Sequence, residues 1–290
     1  SKSISENPKE GYKGTRIFRD KLYFFNAEGL PNMGIEKFVE QIEIYKTHWK
    51  REDRIPLIGS VVGFKEGEFE RVSVRMEEAG VDALELNFSC PHSNPTKTSA
   101  TYLLSQDPEG VKETTKSVKE KINIPLIVKL SPAVIDIGKI AKAAEEGGAD
   151  AISVINTVPA TYFSTEEGKE GKPVLSNIQG GLSGESILPI AIRCVYGCYR
   201  VVKIPVIGIG GISDATSIIL HMFAGASAVQ IATQFFRNGY NDVPSILKGL
   251  EDYMKGHNFD NVKKMVGISH KWQKNLDADG KIIGDVVPRS

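Results

Sequence analysis

Continuous apolar runs alternate with segments of helical periodicity along most of this chain. The runs are rich in Val, Ile and Leu and show little apolar-polar alternation, which is typical of strands buried on both faces of a parallel sheet. Between two of them, Phe69, Val72 and Met76 recur at helical spacing. We predict six strands over about residues 56–62, 83–89, 125–131, 151–157, 205–210 and 228–233.

An internal repeat organises these elements. An Ile-Pro pair precedes an apolar run at Pro56, Pro125 and Pro205, so the prolines are 69 and 80 residues apart. Each copy continues into a helical stretch and a second apolar run, which makes a unit of two strands and two helices. Such βα repeats form a doubly wound sheet or a closed barrel. Equivalent units favour the barrel, and no Gly-x-Gly-x-x-Gly motif follows a strand, so we predict an α/β fold of the (β/α)8 TIM-barrel type.

The number of strands bears on the domain organisation. A barrel of this type has eight strands, whereas the sequence shows six such runs. The chain opens in a polar segment, so we expect this barrel to lack its first two strands. We predict an N-terminally incomplete barrel over residues 1–267 and a C-terminal tail over residues 268–290.

Charge and cysteine content exclude several classes of protein. The 36 basic and 36 acidic residues cancel to a formal net charge of +0, which gives no electrostatic reason to bind nucleic acid or an anionic membrane. No apolar run approaches a membrane span, and the first residues are too polar for a signal peptide, so we expect a soluble, cytoplasmic protein. The three cysteines, Cys90, Cys194 and Cys198, are too few for a disulfide framework, and no cluster has metal-ligand spacing.

Polar residues gather where the predicted strands end. Catalytic groups of such barrels come from the C-terminal strand ends and the loops that follow them. Buried polar groups at these positions are costly unless a ligand or another partner satisfies them. The candidates at these ends are Asn87, Cys90, Lys129, Asn156, Thr157, Gly210, Gly211, Ala232 and Thr233.

Two of these candidates carry reactive groups. Lys129 is the only charge within its apolar run, so it either faces inward, to neutralise negative charge or to form a Schiff base, or makes a structural ion pair. Cys90 lies just past a strand, where a thiol can act as acid, base or nucleophile, although free cysteines are most often simply buried. We expect Cys194, Cys198 and His221 to belong to the core.

Glycines and amides suggest a ligand with a phosphate and a flat polar ring. Gly210 and Gly211, with Thr233 after the next strand, match a barrel phosphate site, the alternative being two tight turns. The glycine-rich segment 180–184 is either a flexible lid or a close backbone approach to a cofactor. Asparagine amides, here Asn26 and others at strand ends, complement the imide edge of a pyrimidine.

Taken together, these motifs resemble the class 1 dihydroorotate dehydrogenases, flavin-containing barrels of pyrimidine biosynthesis. The similarity runs from Lys2 to about Gly267 with the motifs in family order. The segments that carry it are Asn26–Asn32, Asn87-Phe-Ser-Cys90-Pro-His92, Val128-Lys129-Leu-Ser-Pro132, Ile155-Asn156-Thr157, Gly180–Gly184 and Gly208–Ile212.

The resemblance implies an FMN-dependent oxidoreductase that converts dihydroorotate to orotate. It implies that Cys90 is the base that removes the C5 proton while a hydride passes from C6 to the flavin N5, and that Lys129 lies beside the flavin. The implied substrate-binding residues are Asn26, Asn87, Asn156, Thr157, Lys2 and His92. The implied cofactor-binding residues are Lys2, Lys129, Gly181, Gly210, Gly211, Ala232 and Thr233.

The resemblance leaves partners and acceptor open. It implies a homodimer, alone or with an electron-transfer subunit, and an acceptor that is fumarate, quinone or NAD through such a partner. His92 and the segment Ser105–Pro108 are similar to the flavin domain of dihydropyrimidine dehydrogenase, so dihydrouracil is the alternative substrate. Two other classes stay open from the residues alone: a lyase that uses Lys129 as a Schiff-base amine, and a non-catalytic binding protein.

Overall fold

A computed structural model of the chain describes residues 1–21, 23–48, 55–88, 104–272, 274–276 and 282–285. The strands, numbered along the chain, are β1 (Ser3–Ile4), β2 (Ile17–Arg19), β3 (Phe24–Asn26), β4 (Ile58–Val61), β5 (Ala83–Asn87), β6 (Leu126–Leu130), β7 (Ala151–Val154), β8 (Val158–Thr161), β9 (Gln179–Ser183), β10 (Val206–Ile209), β11 (Ala226–Gln230), β12 (Lys274–Leu276) and β13 (Ile282–Asp285). The α-helices of the described ranges are α1 (Ile35–His48), α2 (Glu68–Ala79), α3 (Pro108–Lys119), α4 (Ile137–Glu146), α5 (Leu188–Tyr199), α6 (Ala215–Ala224), α7 (Thr233–Asn238) and α8 (Val243–Gly256).

The main sheet is parallel and strongly curved. Its seven strands follow the order β1-β4-β5-β6-β7-β10-β11. In a flat sheet β5 and β11 would lie about 19 Å apart, since each of the strand steps between them spans about 4.8 Å. Yet the Gln230 amide of β11 donates a hydrogen bond of 2.8 Å to Glu85 of β5. The sheet therefore curls on itself as in a barrel, which confirms the predicted α/β class.

All of the predicted strands are present in the main sheet, which contains one further strand that the sequence did not reveal. Strand β1, only two residues long, pairs in parallel with β4, with Ser3 opposite Ser60 and Ile4 opposite Val61. A two-residue strand is too short to produce an apolar run. The sheet thus holds one strand more than the predicted set of six.

A second sheet of four antiparallel strands lies beside the main one, in the order β2-β3-β9-β8. Segment 180–184, for which a flexible lid was one interpretation, falls largely in strand β9, where Gly181 pairs with Asn26 of β3. A Cβ at Gly180 would lie 2.7 Å from the Asn26 carbonyl oxygen, so glycine there permits close approach of two backbones. Strand β9 is paired on both sides, with β3 and with β8.

The helices cover the sheet as their periodicity predicts. Phe69, Val72 and Met76 of α2 are buried in the main core. Helix α3 begins as its sequence indicates, with the Asp107 side chain accepting from the Glu109 N–H at 3.1 Å and Pro108 in the first turn. No helix of the described ranges is long and apolar enough to cross a membrane.

The expected core cysteines are buried on α5. Cys194 is 1% exposed and Cys198 is 0% exposed. Burial raises the pKa of Cys194 to about 11 and raises that of Cys198 further, so both are thiols at neutral pH. Neither has the electropositive, accessible surroundings of a reactive cysteine.

Candidate functional site

A cleft opens at the C-terminal ends of β6, β7, β10 and β11, and about 640 Å³ of space lies within it and at its open mouth together. Its walls are largely apolar, with Ile155, Ile187, Ile209 and Ile231 among them. The sequence-predicted residues in its lining are Lys129, Asn156, Thr157, Gly210, Gly211, Ala232 and Thr233.

At the floor of the cleft, Lys129 pairs with a buried carboxylate. Its Nζ lies 3.6 Å from Oε1 of Glu85, and the Glu85 side chain is 8% exposed. Oε2 of Glu85 accepts hydrogen bonds from Ser153 Oγ at 2.9 Å and from Gln230 Nε2 at 2.8 Å. Four strands thus supply one hydrogen-bonded network. The sequence left two alternatives for Lys129, an inward orientation and a structural ion pair. In the structure Lys129 lines the cleft and also forms the ion pair.

Charge pairing keeps this carboxylate ionised. Burial alone would raise the pKa of Glu85, but the Lys129 ammonium and the hydrogen bonds from Gln230 and Ser153 outweigh burial and hold that pKa below its ordinary value. A carboxylate satisfied in this way holds the lysine in place, while the lysine side chain keeps 20% of its surface exposed. The ammonium can therefore both pair with Glu85 and face a ligand.

Asn87 and Asn156 form a continuous amide chain across the strand ends. Asn156 Nδ2 donates to Asn87 Oδ1 at 3.3 Å, and Asn87 Nδ2 donates to Ser3 Oγ at 3.0 Å. The Thr157 N–H donates to Asn156 Oδ1 at 2.8 Å, which fixes the orientation of that amide. Strands β1, β5 and β7 are thus connected by side-chain amides at one end of the barrel.

The glycine turn after β10 is closely packed, and at Gly211 a side chain would overlap its neighbours. Gly210 and Gly211 have φ values of 114° and 76°, a region that favours glycine. A Cβ at Gly211 would lie 2.4 Å from Cβ and 2.5 Å from Cα of Leu188. Successive backbone N–H groups in a turn of this kind form a concave surface suited to anions.

His221 supports this turn from behind. It is fully buried on α6, and its Nε2 donates to the Gly210 carbonyl at 3.0 Å, because that oxygen can only accept. Nδ1 is buried without a hydrogen-bond partner in the described part of the chain. Burial lowers the pKa of His221, although its hydrogen bond to Gly210 acts in the opposite direction. The expected core histidine is therefore also a neutral brace for the glycine turn.

Two polar atoms at the cleft are buried without a partner among the described residues. They are Oγ1 of Thr157 and Nη2 of Arg237, and both residues line the cleft. Buried polar groups are normally hydrogen-bonded, so such atoms at a cleft indicate a ligand with complementary groups. Thr233 is different, since its Oγ1 donates to Ser183 Oγ at 3.1 Å.

The other sequence candidates that the structure describes lie outside the cleft lining. Asn26 and Gly181 face each other across the small sheet. Lys2 has its Nζ 3.8 Å from Glu28 Oε2, with about half of its side chain exposed. Cys90 and His92, the predicted base and a predicted substrate contact, lie outside the described residues.

Sequence reasoning missed Glu85, Ser153, Gln230 and Arg237. Glu85 carried a usable signal, since it is the single charge in the run Ala83–Asn87, the criterion that identified Lys129. Gln230 reaches Glu85 across 145 residues of sequence, a contact that only the curvature of the sheet reveals. Among the described residues, no group of three or more His, Cys, Asp or Glu could hold a metal ion.

Comparisons with known proteins agree on one family. The family model described as dihydroorotate dehydrogenase matches residues 1–254. The chain is 38% identical over 271 residues to the catalytic subunit of dihydroorotate dehydrogenase B (NAD(+)) of Methanothermobacter thermautotrophicus, covering 93% of this chain and 85% of the relative. It is 40% identical to the protein of the same name in Thermoplasma volcanium, with the same coverage. For Pyrococcus furiosus the identity is 37%, with 93% and 86% covered.

Proposed function

Since the chain belongs to the dihydroorotate dehydrogenase family, we propose that it oxidises dihydroorotate to orotate in pyrimidine biosynthesis with FMN as its cofactor. The observation that carries the proposal is the cleft, which brings Lys129, the Asn156–Thr157 pair and the Gly210–Gly211 turn together at one end of the barrel. Catalytic groups of barrel enzymes occupy this end.

The residues of the cleft fit a phosphorylated flavin. The Gly210–Gly211 turn lines the cleft with backbone that can hold an anion, and Arg237 Nη2 and Thr157 Oγ1 are buried donors without partners in the described residues. Isoleucines on the walls provide an apolar surface for a flat ring. We assign the phosphate to Gly210, Gly211 and Thr233, with Ala232 and Gly181 near the cofactor.

Lys129 and the amides would orient cofactor and substrate. FMN, when bound, supplies the acceptor for the hydride that leaves C6 of dihydroorotate. Lys129, held by Glu85, presents a fixed positive charge where negative charge develops. Asn87, Asn156 and Thr157 would bind the substrate imide edge, because an amide offers a donor and an acceptor together. Asn26, Lys2 and His92 complete the proposed substrate contacts, and Lys2 also touches the cofactor.

We assign the base to Cys90, which follows the last residue of β5 by three positions in the sequence. A thiolate there would take the C5 proton, and loss of that proton together with the C6 hydride leaves the double bond of orotate. The ordinary thiol pKa of about 8.5 suits a base near neutral pH once the surroundings favour the thiolate.

The names of the relatives bear on the electron acceptor. They are catalytic subunits of an enzyme that uses NAD(+). We propose that this chain also passes electrons to NAD⁺ through a partner subunit and that it forms a homodimer. Isolated protein would then turn over with a dye acceptor but reduce NAD⁺ only when the partner is present.

A substrate comparison tests the proposal. Purified protein loaded with FMN is assayed with a dye acceptor and either dihydroorotate or dihydrouracil. The proposal requires turnover with dihydroorotate and none above background with dihydrouracil. The opposite preference would support the dihydropyrimidine alternative. Borohydride-dependent covalent trapping of substrate on Lys129, without flavin reduction, would support a Schiff-base lyase instead.

A further inference from the structure

Arg237 lines the same cleft as the Gly210–Gly211 turn, and its Nη2 is buried without a hydrogen-bond partner among the described residues. It belongs to α7 and follows Thr233 by one helical turn, so the two residues share a helix face. Its Nη2 would lie 3.7 Å from a Cβ built on Gly184, whereas Thr233 Cγ2 would lie 3.4 Å from the same point. Arg237 and Thr233 thus approach the cleft at one place, beside Gly184.

Arg237 differs from Lys129, the other basic residue of the cleft lining, in its partners. The charged residues in its described lining are Lys129, Glu185 and Arg237. Lys129 is already paired with Glu85 at 3.6 Å. Nη2 of Arg237 is buried and has no hydrogen-bond partner in the part of the chain that the structure describes. A buried guanidinium nitrogen without an acceptor is costly, and a bound anion would provide that acceptor.

The glycine turn and the arginine offer an anion two different kinds of hydrogen-bond donor. Gly210 and Gly211 offer backbone N–H dipoles without a formal charge, and the Thr233 hydroxyl already donates to Ser183 Oγ. A guanidinium presents donors in a planar fork that matches phosphate oxygens. From these positions we infer that Arg237 binds the phosphate of the flavin and makes the site selective for a phosphorylated flavin over riboflavin. This inference rests on the proposed function, because it assumes a flavin in this cleft.

The consequence is measurable as a difference between two ligands. FMN and riboflavin share the ring and ribityl chain and differ only by the phosphate. Loss of a charge-assisted hydrogen bond weakens binding by about 10- to 100-fold. Arg237→Gln should therefore weaken FMN by about that factor and leave riboflavin within about twofold, and Arg237→Lys should recover part of the FMN affinity because it keeps the charge.

The experiment is a fluorescence titration of the flavin-free protein with FMN and with riboflavin. The native protein, Arg237→Gln, Arg237→Lys and Arg193→Gln are compared. Arg193 is an exposed arginine of α5 outside the cleft lining, so Arg193→Gln controls for the loss of one positive charge. The inference holds if Arg237→Gln lowers FMN affinity without lowering riboflavin affinity, Arg237→Lys lowers FMN affinity less, and Arg193→Gln leaves it unchanged.

Other outcomes overturn it in distinguishable ways. If Arg237→Gln leaves FMN affinity unchanged, or weakens both flavins equally, the assignment of Arg237 to the phosphate is wrong while the proposed function stands. If the native protein binds neither flavin, the proposed function fails and the inference fails with it. Thermal unfolding of each variant verifies folding, and Arg237→Lys keeps the test decisive should the glutamine variant misfold.

Discussion

Lys129 Nζ lies 3.6 Å from Glu85 Oε1 inside the barrel, and this carboxylate is further held by Ser153 and Gln230. Removing one partner of a buried ion pair leaves an uncompensated charge, which is strongly destabilising. The pair therefore couples the proposed cofactor contact to the stability of the strands around it. The ionisation of Glu85 can be followed through the pH dependence of the free energy of unfolding.

Substitution of Lys129 by Met should reverse the contribution of Glu85 to pH-dependent stability. In the native protein the pKa of Glu85 is lowered, so its contribution is present above the unfolded pKa of about 4.3 and is lost as pH falls through the folded pKa. Without Lys129, burial dominates and raises that pKa. The stabilising contribution is then present at low pH and is lost as pH rises.

Urea unfolding of flavin-free protein between about pH 4.5 and 8 measures this effect. The cost of Lys129→Met should grow with pH and reach about 3–5 kcal/mol at neutral pH. The double variant Lys129→Met/Glu85→Gln is the control, and its difference from the native protein should vary less with pH. A cost of Lys129→Met that is constant over this range contradicts the electrostatic account.

The glycine turn gives a second prediction, with a matched control at another glycine. Gly211 and Gly168 have φ values of 76° and 75°, but only Gly211 has neighbours that a Cβ would meet. Gly168→Ala should cost about 1 kcal/mol from its backbone conformation. Gly211→Ala adds overlap with Leu188 and should cost about 2–4 kcal/mol in total.

Flavin titration separates an effect of these glycine substitutions on the proposed phosphate site from an effect on overall stability. Gly211→Ala should also weaken FMN, because its Cβ distorts the proposed phosphate turn, whereas Gly168→Ala should bind FMN as the native protein does. Equal unfolding free energies for the two variants would show that the close packing on Leu188 is not rigid. Equal FMN affinities would argue against the phosphate assignment.

His221 provides a test of the brace behind the turn. Burial lowers the pKa of His221 despite its hydrogen bond to Gly210, so the native state holds the ring neutral. Its contribution is present above the unfolded pKa of about 6.5 and is lost as pH falls through the folded pKa, with a slope of up to about 1.4 kcal/mol per pH unit. His221→Gln keeps a donor for the Gly210 carbonyl and does not titrate.

Comparison of native protein and His221→Gln by urea unfolding from about pH 5 to 8 measures this term. The stability advantage of the native protein should shrink as the pH falls below about 6.5. An advantage that stays constant, or that grows in acid, would mean that His221 is charged in the folded state.

The assignment of the base predicts different outcomes for two cysteines. Cys90→Ser should lower turnover by about 100- to 10,000-fold, the usual size of a general-base contribution, with FMN affinity retained. Cys194→Ser is the matched control, since it places a hydroxyl in the core, where an unsatisfied polar group costs about 1–3 kcal/mol. That variant should lose stability and keep turnover. Full activity of Cys90→Ser would remove Cys90 from the mechanism.

Much of the fold follows from local sequence because buried parallel strands and amphipathic helices leave strong patterns. Lys129 was recognisable as a lone charge in an apolar run, and the Gly210–Gly211 pair as a turn after a strand. Glu85 showed the same signal, but its partner Gln230 becomes apparent only when the sheet curls. Strand β1 is too short to leave a pattern in the sequence. Arg237 could not be recognised from the sequence, because its position in the site depends on the approach of α7 to Gly184.

The most direct test of the central claim is a single turnover without oxygen. Dihydroorotate is added to the FMN-loaded protein, and the visible absorption of oxidised flavin is followed together with orotate formation. The account predicts loss of the flavin band with orotate formed in equal amount to the flavin reduced. A flavin band that persists with dihydroorotate but disappears on addition of dithionite would contradict it.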